Sequence, residues 1–115
     1  MINSYELFQI VYLILNEINN QEGNSEVTTY LSDANPFVWN GENSADPALY
    51  PEFKDMFEKN SNDKDFYYDF VCKYLSSLTY YRGIYETFVN AISKEDYIVT
   101  CQEILKEKGK YFKTF

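Results

Sequence analysis

A chain of 115 residues that is 45% apolar and 19% aromatic is too hydrophobic to stay disordered. It is long enough to bury roughly 65–70% of its unfolded surface in one core, so a single domain over residues 1–115 is expected. The absence of histidine excludes Ser-His-Asp and Cys-His nucleophile systems and argues against a typical zinc site, while the net charge of −8 disfavours nucleic acid and anionic lipid as partners.

The first helix is expected to begin near Ser4, with Ser4 as its cap and Glu6 near the positive end of the helix dipole. Leu7, Phe8, Val11, Tyr12, Leu15 and Ile18 share one helical face, and Ile10, Leu13 and Ile14 widen the apolar arc enough to place the helix between neighbours. The turn chemistry of "NNQEGN" ends it. The run "IVYLIL", Ile10 to Leu15, is the longest apolar stretch and is far short of a membrane span; without a secretory leader pattern, the expected compartment is the cytoplasm.

Ser25 is placed to cap a second, short helix through about Leu31. Asn35 before Pro36 and the Asn40-Gly41 pair then force an extended or looped passage. Asp46 followed by Pro47 reads as an N-cap with proline at the first helical position, which leaves Pro51 to distort or restart that helix. Phe53, Met56 and Phe57 give it an apolar edge. After the polar connector from Glu58, Asp63 or Asn62 caps a central helix carrying Phe66, Tyr67, Phe70, Val71, Tyr74, Leu75 and Leu78. "TYYRG" interrupts it. A further helix carries Ile84, Tyr85, Phe88, Val89 and Ile92, and Ser93 with Asp96 forms an imperfect capping box for the last. That helix presents Tyr97, Ile98, Cys101, Ile104 and Leu105, ends near Gly109, and is followed by a loosely packed basic aromatic tail. The expected fold is an all-α single-domain bundle or orthogonal array of five to six helices with one long loop containing Asn, Pro and Trp.

Cys72 and Cys101 fall within apolar helical patterns and read as reduced core thiols, a disulfide between them being a matter for coordinates. The four glycines at 23, 41, 83 and 109 match no phosphate-binding loop, and neither the Asp33–Asp46 stretch nor "NSNDKD" has the glycine turn and closing glutamate of a calcium loop. No catalytic, cofactor-binding or metal-ligating residue is therefore assigned. The 12 tyrosines exceed what a core ordinarily uses, so some are expected at its edge or on a binding face.

Charge is unevenly divided. Residues 1–60 carry ten carboxylates against Lys54 and Lys59, whereas residues 61–115 carry eight of each sign. The whole imbalance lies in the first half, where Phe37, Val38 and Trp39, the chain's one tryptophan, sit among Asp33, Glu42, Asp46, Glu52 and Asp55. Two arrangements fit: the rings plug the core beneath the loop, as is common for long loops in small domains, or they form an aromatic anchor inside an acidic rim. Phe37 inward with acids outward would combine them. The second arrangement makes Asp33, Phe37, Trp39, Glu42, Asp46, Glu52 and Asp55 the candidate partner-binding residues.

The Asn-Pro-Phe and Ser-Ala-Asp-Pro pieces at Asn35–Phe37 and Ser44–Pro47, together with size and acidity, resemble the small acidic bacterial immunity proteins that accompany polymorphic toxins. The resemblance covers the middle third of the chain and implies tight occlusion of a cognate toxin, often a basic nuclease. The leading expectation is a protein-interaction module for a basic protein. The alternatives are a small-molecule-binding domain or minor enzyme with a tyrosine-lined pocket between helices, and a structural homo-oligomer.

Overall fold

In the computed structural model, which describes residues 2–113, seven helices follow one another without a strand among the described residues. They are α1 (Ser4–Glu22), α2 (Ser25–Ala34), α3 (Leu49–Glu58), α4 (Lys64–Ser77), α5 (Ile84–Ala91), α6 (Lys94–Lys106) and α7 (Lys108–Tyr111). The all-helical class stands. The helix number exceeds five to six because the segment expected to be one final helix breaks at Glu107 (φ −126, ψ 50) and resumes as α7, with Gly109 inside it.

The helix starts shift by one residue from the expected caps. Asn3, not Ser4, caps α1: its side chain accepts from the Glu6 amide at 2.8 Å while the Glu6 carboxylate accepts from the Asn3 amide at 3.0 Å, a complete capping box. Asn24, not Ser25, caps α2 by accepting from the Glu26 and Val27 amides. In both places Asn precedes Ser, and the residue with extended backbone takes the cap. Asp46 does not start α3. Its side chain accepts from the Ala48 amide, closing a turn, and the helix begins at Leu49. Pro51 then falls in the first turn, where a missing N–H leaves no intrahelical bond unmade, so the expected distortion does not arise.

The start of α4 departs most from expectation. Asp65, Phe66 and Tyr67 have left-handed backbones (φ 56, 55 and 63) and Asp63 makes no side-chain cap bond. Left-handed geometry costs L-residues roughly 1–2 kcal/mol each. Side chains from α6 hold the turn: the Tyr97 hydroxyl donates to the Phe66 carbonyl at 2.7 Å and Lys94 pairs with Asp65 at 2.9 Å.

α1 is the central element. Leu7, Phe8, Ile10, Val11, Ile14, Leu15 and Ile18 are all buried on it, and it packs against α2, α3, α5 and α6. The core continues through Tyr30, Phe53, Phe70 and Tyr74, linked edge-to-face as in Phe53–Tyr74 at 4.8 Å, and through a separate ring pair, Phe88–Tyr97 at 6.1 Å. Both cysteines are free thiols, Cys101 fully buried and Cys72 half-buried. No described helix is long and apolar enough to cross a membrane.

Candidate functional site

The long loop between α2 and α3 is an ordered platform. Its ends are tied by backbone bonds, Ala45 N–H to the Asn35 carbonyl (2.9 Å) and Asp46 N–H to the Asp33 carbonyl (2.7 Å), which gives it the closed outline of an Ω-loop. Its foot is pinned by polar groups. The Tyr5 hydroxyl, from α1, reaches the Pro36 and Asn43 carbonyls (3.2 and 2.7 Å). Buried Ser44 donates to the Asp46 carbonyl at 2.6 Å and accepts from the Tyr50 amide at 3.0 Å.

The tail is not loosely packed as far as Lys113. The Lys113 amide donates to the Gln9 side chain, and its ammonium donates to the Pro36, Trp39 and Gly41 carbonyls. One cation thereby gathers three loop carbonyls, and desolvation pushes its pKa below the ordinary lysine value. Thr114 and Phe115, the end of the expected tail, lie outside the described residues.

The rings face outward. Phe37, Val38 and Trp39 are 46, 53 and 52% exposed. Phe37 leans its edge on Tyr12 at 6.0 Å, and the Trp39 indole N–H donates to the Ala45 carbonyl at 3.2 Å. The core-plug arrangement is therefore corrected for both: the loop is held by Tyr5, Ser44 and Lys113, so its aromatic residues are not needed inside.

Below the loop, three of the candidate acids share one wall. Asp33, Asp46 and Glu52 line an open cleft of about 420 Å³ together with Tyr80 and Tyr81. Asp33 accepts from the Tyr81 hydroxyl at 2.7 Å, and burial, this hydrogen bond and the Asp33 and Asp46 charges all keep that phenol protonated by raising its pKa. Tyr80, 75% exposed, is a wall of the cleft that the sequence reading left out of the candidate set; the signal was the adjacent Tyr80-Tyr81 pair, of which only one ring turns inward. Glu42 sits on the loop near Tyr5 and Tyr50, whose pKa values its charge helps to raise behind the larger effect of burial. Asp55 lies one turn beyond Glu52 on α3 and pairs with Lys59 at 2.9 Å. It does not line the cleft. No group of described carboxylates and thiols is arranged to hold a metal ion.

Most of the tyrosine excess serves the interior. Seven of the 12 are buried, and six of those hydroxyls bond inside the protein, as in Tyr30–Tyr74 (2.9 Å), Tyr50–Ser4 (2.8 Å) and Tyr97 to Phe66. No buried side-chain polar atom among the described residues is without a partner. The larger clefts are open to solvent rather than closed around convergent polar groups. The chain matches no protein family, no curated protein and no solved structure.

Proposed function

We propose that this protein is an interaction module that binds and neutralises a basic protein partner, in the manner of an immunity protein paired with a cationic toxin. The observation that carries the reading is the union of an ordered, outward-facing Phe37-Val38-Trp39 segment with the Asp33–Asp46–Glu52 cleft beside it. Rings on a pre-ordered loop add contact area without an ordering penalty, and the carboxylates steer a cation toward them. The first-half charge also remains available. Of its ten acids, Glu6 is paired by a lysine of the second half (Lys108, 2.9 Å) and Asp55 by Lys59; no other ion pair involves this half among the described residues.

The test is calorimetry with the product of the adjacent gene at low salt. Binding at or below ~1 µM, weakened ~100-fold or more by Trp39→Ala combined with Asp46→Asn, is expected. No heat at micromolar concentrations, or a complex indifferent to both substitutions, would remove the loop and cleft as the binding surface.

A further inference from the structure

A second acidic groove lies away from the loop. Its floor is apolar, formed by Leu13, Ile14 and Ile18 of α1 and Ile104 of α6, within a cleft of about 560 Å³. Its rim carries four exposed carboxylates, Glu17 and Glu22 on the α1 wall and Asp96 and Glu103 on the α6 wall, and no lysine or arginine lines it. None of the four belongs to an ion pair among the described residues. Two of them come from the half of the chain whose charges sum to zero, so the groove is a product of folding: the lysines of that half point elsewhere, Lys94 to Asp65 and Lys108 to Glu6.

The groove runs between two helices. Because Lys108, just past the end of α6, pairs with Glu6 in the first turn of α1, the two walls run in opposite senses. Asp96 and Glu103 are seven residues apart, about 10.5 Å or two turns along α6, and Glu17 and Glu22 are about 7.5 Å apart along α1. Carboxylates on both walls above an apolar floor complement an amphipathic helix whose leucine-like stripe is flanked on each side by lysine or arginine. A polyamine would find the same charges but would leave the aliphatic floor poorly covered. A nucleic acid would be repelled.

We infer that the α1–α6 groove, through Glu17, Glu22, Asp96 and Glu103 over the Ile14–Ile18–Ile104 floor, docks a basic amphipathic helix of a protein partner. This does not rest on the loop surface, and the two are separable by mutation. The probe is a fluorescein-labelled helical peptide of about 15 residues made of leucine and lysine with the leucines on one face, compared with a scrambled peptide of the same composition and with spermidine as competitor. At low salt the patterned peptide is expected to bind with Kd near 10 µM or tighter. Glu17→Lys with Glu103→Lys should weaken it at least ~10-fold, and Trp39→Ala with Asp46→Asn should change it less than ~2-fold. Both variants keep helical circular dichroism in this scheme, since all the substituted groups are exposed. Absent binding, equal binding of the scrambled peptide, displacement by equimolar spermidine, or indifference to the groove substitutions would each overturn the inference.

Discussion

At the residue scale, the buried hydroxyls decide how this core tolerates change. Tyr30 and Tyr74 share one hydrogen bond at 2.9 Å in a site closed to solvent. Tyr74→Phe leaves the Tyr30 hydroxyl without a partner and is expected to lower stability by about 1–3 kcal/mol, whereas Tyr30→Phe with Tyr74→Phe recovers most of that loss, because removing both polar groups removes the desolvation penalty as well. Urea denaturation of the single and double variants measures the cycle. Cys101 gives a second check. Burial, the largest influence, pushes its thiol from the ordinary 9.0 up to about 11, against a smaller lowering by Tyr97. The folded pKa lies above the unfolded one, so the native state holds the proton longer; the contribution is complete below pH 9 and disappears as pH rises through about 11. A loss of ~2–3 kcal/mol over that window is expected from this group, and Cys101→Ala should flatten the stability profile there relative to the parent while leaving its slope below pH 9 unchanged.

At the element scale, the loop and the tail form one unit. Lys113 is separated from Trp39 by 74 positions in sequence yet binds its carbonyl and those of Pro36 and Gly41. Lys113→Met keeps the aliphatic stem and removes the ammonium. The expected result is a looser loop: lower steady-state anisotropy of Trp39, stronger acrylamide quenching than the parent already shows for a half-exposed indole, and faster amide exchange over residues 37–43, with little change in global stability because the loop contributes few buried side chains. Unchanged anisotropy would assign the loop's order to Tyr5 and Ser44 alone. Periodicity placed α1, α5 and α6 well, since Leu7–Ile18, Ile84–Phe88 and Tyr97–Ile104 are runs in which every buried residue lies within one turn of the next. It could not place the left-handed turn at Asp65–Tyr67, because the apolar spacing from Phe66 and Tyr67 onward carries no information on handedness, and the contacts that hold the unusual turn come from Tyr97 and Lys94, about thirty positions away.

At the scale of the whole molecule, a globule of 30 × 30 × 29 Å carrying −8 has acidic walls on two grooves rather than one. An encounter with a basic partner should therefore be salt-sensitive in its rate of formation. Raising ionic strength from ~0.01 to ~0.15 M shortens the screening length from about 30 to about 8 Å, and the association rate constant, read by stopped-flow Trp39 fluorescence, is expected to fall ~10-fold or more while dissociation changes little. A rate constant independent of salt would attribute recognition to the rings alone.

The sequence by itself determined that this chain folds as helices around one core, and it showed that the excess negative charge, with Asp33, Glu42, Asp46, Glu52 and Asp55 around the loop, lies in the first sixty residues, because helical periodicity and charge counts are read along the chain. Tertiary structure alone decided which way Phe37 and Trp39 face, that Tyr5, Ser44 and Lys113 rather than an aromatic plug hold the loop, that Tyr80 joins the acidic cleft while Asp55 does not, and that Glu17, Glu22, Asp96 and Glu103 meet across an apolar floor. Those outcomes depend on hydrogen bonds and packing between residues far apart in the chain, whose energies no local pattern encodes.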